Sequence, residues 1–240
     1  MTPNTSCRAR RLRLGAVLAT ALMAAACGNI TQLVADDASS PLVTARAVHR
    51  FGGGPGGGGI ELEVSAARAR GEDTLGEFST ASLGGATVTG PTQLKHTARV
   101  QQGQLFYNHL LFAGQPVELE WFVGGSWVQT SWESLSARPA DPRLSSRTSW
   151  YGPAGGALAR LRLAPGLALE LRASGTVDVS GRRDGGAANS AELALAFRPL
   201  PPLSLRAGYG LHESSARPEL ASTELSVRAR GLFLGLGFDF

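Results

Sequence analysis

Cysteine and lysine are scarce in this chain of 240 residues. It contains two cysteines, Cys7 and Cys27, and one lysine, Lys95. Cys7 lies in a segment that we expect to be removed, so the remaining chain has a single cysteine and cannot form an intrachain disulfide. A lone cysteine also excludes a zinc site of the cysteine-rich kind. The four histidines are not spaced as metal ligands, so neither a metal ion nor another cofactor is expected.

The sequence also has no apolar run of the roughly 20 residues that a membrane-spanning helix needs. Residues 14–26 form a shorter uncharged run that follows four arginines, which is typical of a signal peptide over residues 1–26. Four of the chain's 23 basic residues therefore lie in this segment, which has no acidic residue. The remainder carries 19 basic and 19 acidic residues and is formally neutral. A nucleic-acid partner is consequently not expected.

The end of this segment, Ala24-Ala25-Ala26-Cys27-Gly28, resembles the lipobox of bacterial lipoproteins. The resemblance implies that Cys27 is lipidated and that Gly28 permits sorting to the outer membrane, although Ala24 stands where the family prefers Leu. The same residues also satisfy the small-residue rule for ordinary signal cleavage after Ala26, and both interpretations stay open. Residues 27–59 contain a Gly-rich run, residues 52–59, and are predicted to form a lipid-anchored or flexible periplasmic tether.

From Ile60 onward, apolar and polar side chains alternate with the period of two that predicts strands with unlike faces. Ile60, Leu62 and Val64, for example, alternate with acidic or hydroxyl side chains, and no comparable stretch has helical spacing. Eight strands are predicted, at residues 60–69, 94–112, 117–130, 157–163, 167–180, 190–198, 203–213 and 223–240. Treating 43–50 as a strand and splitting 94–112 at 101–103 gives ten instead.

The predicted connections alternate between tight turns and longer polar segments. Tight turns fall at residues 113–116, 164–166 and 199–202, and longer segments separate them. Outer-membrane barrels have this arrangement, with short periplasmic turns and long extracellular loops. Residues 60–240 are therefore predicted to form an all-β fold, a closed antiparallel up-and-down transmembrane β-barrel. An even strand count would place both ends of the chain on the periplasmic side.

The last ten residues resemble the C-terminal signature of outer-membrane barrels. Apolar residues occupy every second position, and Gly235, Phe238 and Phe240 are similar to the motif recognised by the barrel assembly machinery, with Phe233 in its usual polar position. In general shape the pattern resembles small barrels of the OmpA and OmpW type. The resemblance implies a Gram-negative outer-membrane location, with the assembly machinery and outer-membrane lipids as partners. Trp127, Trp132, Trp150 and Tyr151 are predicted to form an interfacial aromatic belt.

The polar face of the strands is predicted to fill the barrel interior. Acids and arginines occur there in similar number, and because isolated buried charges are costly they should pair and plug the barrel. The predicted interior residues are Glu61, Glu63, Glu118, Glu120, Arg160, Arg162, Glu170, Arg172, Glu192 and Arg206. This pattern favours a non-enzymatic protein with a structural role, or one that interacts at the cell surface through its loops.

Two other functions are weighed against this one. His212 and Ser214 resemble the His-x-Ser motif of outer-membrane lipid A deacylases, which implies a general base and a nucleophile with Glu219 or Glu224 as the orienting acid. Parity argues against it, since both side chains share the polar face with Arg206. The other alternative is a soluble periplasmic lipoprotein that binds a ligand, a β-sandwich or lipocalin-like barrel whose apolar face points inward.

Overall fold

The computed structural model describes residues 31–37, 42–51, 57–179, 186–201, 203–217 and 223–239. The predicted signal peptide, Cys27, Glu219 and Phe240 lie outside these ranges. Among the described residues, no helix has the length and apolar character needed to cross a membrane. Twelve strands are present: β1 (Thr31–Asp37), β2 (Leu42–Phe51), β3 (Gly58–Leu75), β4 (Thr80–Leu83), β5 (Ala86–Thr89), β6 (Thr92–Ala113), β7 (Val117–Ser136), β8 (Leu144–Ala164), β9 (Leu167–Val177), β10 (Gly186–Leu200), β11 (Leu203–Ala216) and β12 (Thr223–Asp239).

Nine of these strands close into a barrel. From β2 to β12, omitting β4 and β5, each strand is antiparallel to the next, and β12 closes onto β2 in parallel. The predicted all-β class and the closed barrel are confirmed, but neither strand count is correct. Residues 43–50 do form a strand, whereas β6 runs through residues 101–103 without a break, so the barrel has nine strands and one additional strand, β1.

Two segments of the predicted tether belong to this sheet. β2 pairs with the second half of β12, where Leu42 lies beside Phe233, and β1 pairs with the first half, where Thr31 lies beside Thr223. In β2, Thr44 and Arg46 are buried while Val43 and Ala45 face outward, so β2 has the two unlike faces of a barrel strand. The eight-strand prediction assigned β2 to the tether, because it lies between a polar segment and the Gly-rich run; only the ten-strand alternative counted it as a strand.

The connections separate the two ends of the barrel. At the short-turn end, residues 114–116, 165–166 and 201–202 join strands; at the long-loop end, the connections are residues 76–91, 137–143, 178–185 and 217–222. Because β2 is parallel to β12, Thr31 lies at the long-loop end and Asp239 at the short-turn end. The expectation that both ends of the chain share one side therefore does not hold for the described residues, since it required an even count.

In the half of the barrel near the short turns, charged side chains point inward and apolar side chains point outward. We call the outward set the apolar belt. On β3, for instance, Glu61 and Glu63 are buried while Ile60, Leu62 and Val64 are about half exposed. The belt continues around the barrel in Val43, Leu105, Leu119, Val123, Leu161, Leu171, Leu193, Leu195, Leu205, Leu232, Leu234 and Leu236.

In the half near the long loops, the two faces exchange character. The interior is a buried apolar cluster that includes Leu33, Leu94, Trp132, Leu144 and Leu225. The outward side chains here are polar, and we call them the polar collar. Its charged members include Asp36, Arg68, Arg70, Arg99, Arg147, Glu213, Arg228 and Arg230.

A small hairpin of β4 and β5 closes the long-loop end. Gly84 and Gly85 form its turn with φ values of 58° and 80°, the left-handed conformation that two-residue hairpins require and glycine accepts most readily. The hairpin buries Leu83 and Val88 in the apolar cluster. The backbone N–H of Ser82 also donates to the Thr223 hydroxyl over 3.2 Å, which ties the hairpin to β12.

Candidate functional site: the charged barrel interior

Glu61 is the centre of the first group of interior charges. Its carboxylate is fully buried and accepts hydrogen bonds from Arg46 Nη2 at 2.6 Å and Asn108 Nδ2 at 2.7 Å. Arg172 Nη2 lies 2.6 Å from the other carboxylate oxygen and 3.2 Å from Glu63. Two arginines therefore compensate two acids at this level, as a buried charge requires.

The Arg172 guanidinium is also held by aromatic rings. It lies 4.0 Å from the centre of the Phe122 ring and 5.7 Å from that of Phe106, distances at which a ring face attracts a cation. These rings belong to β6 and β7, which follow β3 in the sheet, whereas Arg172 projects from β9, so its side chain spans the lumen between two walls of the barrel. A guanidinium fixed on several sides fills the lumen and leaves little freedom for a permeating ion.

A second group of charges lies between β8, β9, β10 and β11. Arg206 donates to Glu170 at 3.1 Å and to Glu192 at 2.9 Å. Glu170 in turn accepts from Arg160, which also donates to Glu118 at 3.1 Å. Each of these strands thus contributes a charge to one continuous chain of ion pairs across the interior.

This chain reaches solvent in a cavity of about 710 Å³ at the short-turn end. Arg162 is half exposed there and contacts Glu118, and Arg50 is one-third exposed and donates to Glu120 at 3.0 Å. Arg198 also lines the cavity. Toward the other end, the apolar cluster fills the interior, so within the described residues this cavity is a blind vestibule.

The structure brings all ten predicted interior residues into one half of the barrel. Seven are buried, and Glu118, Arg160 and Arg162 approach the vestibule. Sequence reasoning missed Arg46 and Arg50, because β2 was assigned to the tether. The alternation of Thr44 and Arg46 with small apolar residues was the signal that could have identified them.

His212 and Ser214 point into the barrel. Both are buried, and neither His212 Nε2 nor Ser214 Oγ has a hydrogen-bond partner among the described residues. His212 lines a cavity of only about 20 Å³ together with Thr44 and Glu63, a volume that holds one water molecule. Glu224 instead accepts from Arg217. The described part of the proposed catalytic group therefore has neither its hydrogen bond nor space for a substrate.

A different constellation, absent from the sequence-based predictions, joins Asp73, His96 and Ser134. His96 Nε2 lies 3.1 Å from Asp73 Oδ2, and His96 Nδ1 lies 2.8 Å from Ser134 Oγ. Ser134 also accepts from Trp132 Nε1 at 2.7 Å, and Asp73 accepts from the Val34 N–H at 2.8 Å. Ser134 has no exposed surface, so this chain of hydrogen bonds fastens β1 to the wall and presents no accessible nucleophile. Burial lowers the pKa of His96, and Asp73 opposes that shift.

The four predicted belt aromatics divide into two pairs. Trp127 and Tyr151 are exposed beside the apolar belt, an arrangement compatible with the prediction. Trp132 and Trp150 are buried in the apolar cluster, so the prediction is wrong for them. Trp132 and Trp150 lie in the half of the barrel near the long loops. Inward-facing positions, which are polar near the short turns, are apolar in that half.

No protein-family model, no curated protein and no solved structure matches this chain.

Proposed function

We propose that this chain is an outer-membrane β-barrel protein of a Gram-negative bacterium. The observation that supports this is the apolar belt: it surrounds the half of the barrel whose interior is ionic. In water such a barrel would expose its apolar side chains, whereas a bilayer solvates them, and the closed sheet pairs the backbone. On β6 the belt extends over nine residues, from Gly103 to Leu111, which matches the roughly 9–11 residues with which a tilted strand crosses the hydrocarbon. On β12 its described part covers seven, from Leu232 to Phe238.

The proposed role is structural or surface-interacting, without enzymatic activity. Paired charges and the apolar cluster plug the lumen, and the polar collar, hairpin and long loops extend beyond the belt. In this proposal the signal peptide is removed, Cys27 is lipidated, and Gly235, Phe238 and Phe240 direct assembly. Gly235 faces inward against Thr44, and Phe238 is about half exposed on the belt.

Reconstitution in liposomes tests the membrane assignment. We expect the protein to need detergent for extraction and to migrate differently on gels before and after boiling, because membrane barrels resist detergent unfolding. A protein that stays soluble without detergent and shows no such shift would instead be the periplasmic lipoprotein.

A second experiment addresses the hydrolase alternative. Ser214→Ala should leave the lipid A profile of expressing cells unchanged by mass spectrometry, with Ser190→Ala as the control on the neighbouring strand. A lipid A species present with the parent chain and with Ser190→Ala, but lost with Ser214→Ala, would refute the non-enzymatic proposal.

A further inference from the structure

One row of the polar collar is rich in arginine. Arg68, Arg99, Ser131 and Arg147 are register partners on the adjacent strands β3, β6, β7 and β8, and the three arginines are exposed on the outer face. Strands lie about 4.8 Å apart, so the row spans about 15 Å. We call these four residues the arginine row.

The arginine row has no carboxylate partner in the described part of the chain. Arg147 donates to Gln129 at 2.7 Å, and no ion pair involves Arg68 or Arg99. On β12, by contrast, the collar arginines are paired: Arg228 with Glu213 at 2.5 Å and Arg230 with Asp36 at 3.2 Å. Like charges side by side on neighbouring strands repel, so an external anion would stabilise the arginine row.

An apolar groove lies on the outer face of the same strands, within the apolar belt. It has a volume of about 920 Å³ and is lined by Leu62, Leu105, Trp127, Tyr151 and the outward-facing Gly103 and Gly125. A Cβ atom at Gly103 would have Trp127 as its nearest neighbour, 3.9 Å away, and one at Gly125 would have nothing closer than 4.0 Å. The groove therefore exists because two side chains are missing, and the backbone would accept them.

The groove and the arginine row are aligned along the strands. On β6, Gly103 is followed toward the long-loop end by Gln101 and then by Arg99, a separation of about 13 Å at roughly 3.4 Å per residue. Gln129 donates to Gln101 at 3.4 Å, so a layer of amides lies between the apolar and basic layers. This order of apolar, amide and basic side chains matches the order of acyl chain, ester or amide linkage and phosphate in a phosphorylated lipid.

We infer that this face binds a phosphorylated lipid of the leaflet at the long-loop end. An acyl chain occupies the groove and phosphate groups contact the arginine row. Arginine forms paired hydrogen bonds with phosphate oxygens, and the apolar groove excludes a water-soluble anion as its complete ligand. The inference rests on the proposed membrane location and names the lipid class that the barrel selects.

Lipid retention by the full chain tests the inference. The protein is reconstituted in zwitterionic vesicles containing bisphosphorylated lipid A or its dephosphorylated form, extracted in mild detergent, and analysed for bound lipid by native mass spectrometry. We expect retention of the phosphorylated form, and Arg68→Gln/Arg99→Gln should reduce it about tenfold or more, since each basic residue near an anionic surface contributes substantially. Arg228→Gln/Arg230→Gln removes the same charge from β12, where both arginines are already paired with acids, and should retain lipid like the parent.

A second variant tests the groove separately. Gly103→Leu/Gly125→Leu fills it without touching an arginine and should also reduce retention. Equal retention of both lipid A forms, or equal loss in the two arginine variants, would overturn the inference. Complete displacement of the lipid by inorganic phosphate would show a site for free phosphate and would also overturn it. The gel shift on boiling, measured for every variant, shows whether the barrel has inserted; a parent chain that does not insert refutes the membrane proposal itself.

Discussion

Arg172 is a single cation that compensates two buried carboxylates, those of Glu61 and Glu63. It faces two acids and two aromatic rings near the centre of the lumen, and its side chain is only 2% exposed. Replacing it with Met would preserve volume but leave Glu61 with Arg46 alone and Glu63 without its arginine. We expect Arg172→Met to lower the free energy of unfolding by about 3–5 kcal/mol, measured as a shift in the urea midpoint of the reconstituted protein.

Arg162→Gln provides the matched comparison, because Arg162 also pairs with a glutamate but is half exposed. An exposed ion pair contributes only about 0–1 kcal/mol, so this variant should unfold at nearly the parent's urea concentration. Similar midpoints for Arg172→Met and Arg162→Gln would contradict the description of the interior as a desolvated ion-pair network.

His96 makes stability depend on pH in the collar half of the barrel. Burial lowers its pKa in the folded state below the ordinary value of 6.5, so below that pH the unfolded chain binds a proton that the folded chain does not. This contribution to stability should therefore be present at pH values above 6.5 and decline as the pH falls below 6.5. Urea unfolding at successive pH values measures this slope.

His96→Gln should abolish that part of the slope, whereas His109→Gln should retain it, because His109 is half buried on the outer face beside Trp121. A slope in His96→Gln as steep as in the parent would assign the pH dependence to other groups, such as His212, whose pKa burial lowers to about 4. The two variants are compared by the slope of unfolding free energy against pH and not by their absolute stability. The reason is that His96→Gln also loses the hydrogen bond to Asp73, which lowers stability at high pH.

β6 shows which features of the strands could be predicted from the sequence. Alternation over residues 94–100 and the apolar run at residues 105–112 correctly indicated a strand. Its phase, however, reverses near residues 101–103: Ala98 and Val100 face inward on one side, and Leu105 and Tyr107 face outward on the other. Period two reports that the faces differ and not which one is apolar, so this reversal could be mistaken for a break between two strands.

The same ambiguity explains what was predicted of the site and what was not. Acids and arginines beyond residue 60 were assigned to one face because that face stays polar through the belt region. Arg46 lies outside the segment interpreted as barrel. Asp73, His96 and Ser134 belong to strands whose pairing only the fold supplies, since these residues are far apart in sequence and meet through the register of β3, β6 and β7.

The hairpin of β4 and β5 should act as a cap whose stability depends on Leu83. This side chain is fully buried in the apolar cluster, whereas Phe78, just before the hairpin, is 88% exposed. Leu83→Ala should weaken the docking of the cap by about 2–5 kcal/mol, which increases the population of the open hairpin at least tenfold. Limited proteolysis between residues 76 and 91 should accelerate accordingly.

Phe78→Ala controls for loss of an apolar side chain in the same segment and should leave the cleavage rate close to that of the parent. Equal protection of Leu83→Ala and the parent would mean that the hairpin is held by its contacts with β12 and the loop at residues 137–143 rather than by its buried side chains.

The odd number of strands determines at which end of the barrel the first and the last described residues lie. Eight antiparallel pairings leave the first and ninth strands parallel, so the barrel closes only where β2 runs beside β12 in the same direction. β1 extends this parallel pairing toward the long-loop end. The first described residues and the last therefore lie at opposite ends of the barrel.

Labelling with a membrane-impermeant maleimide tests this orientation. Ala140→Cys places a thiol in an exposed connection at the long-loop end, and Gln115→Cys places one in an exposed turn at the opposite end. If short turns face the periplasm, as they do in outer-membrane barrels, intact cells should label Ala140→Cys, and Gln115→Cys should react only after the outer membrane is permeabilised. The parent chain measures background from its native cysteines. The reverse pattern would place the polar collar in the periplasm, and with it the arginine row and Thr31, so the lipid selected by the arginine row would then belong to the inner leaflet.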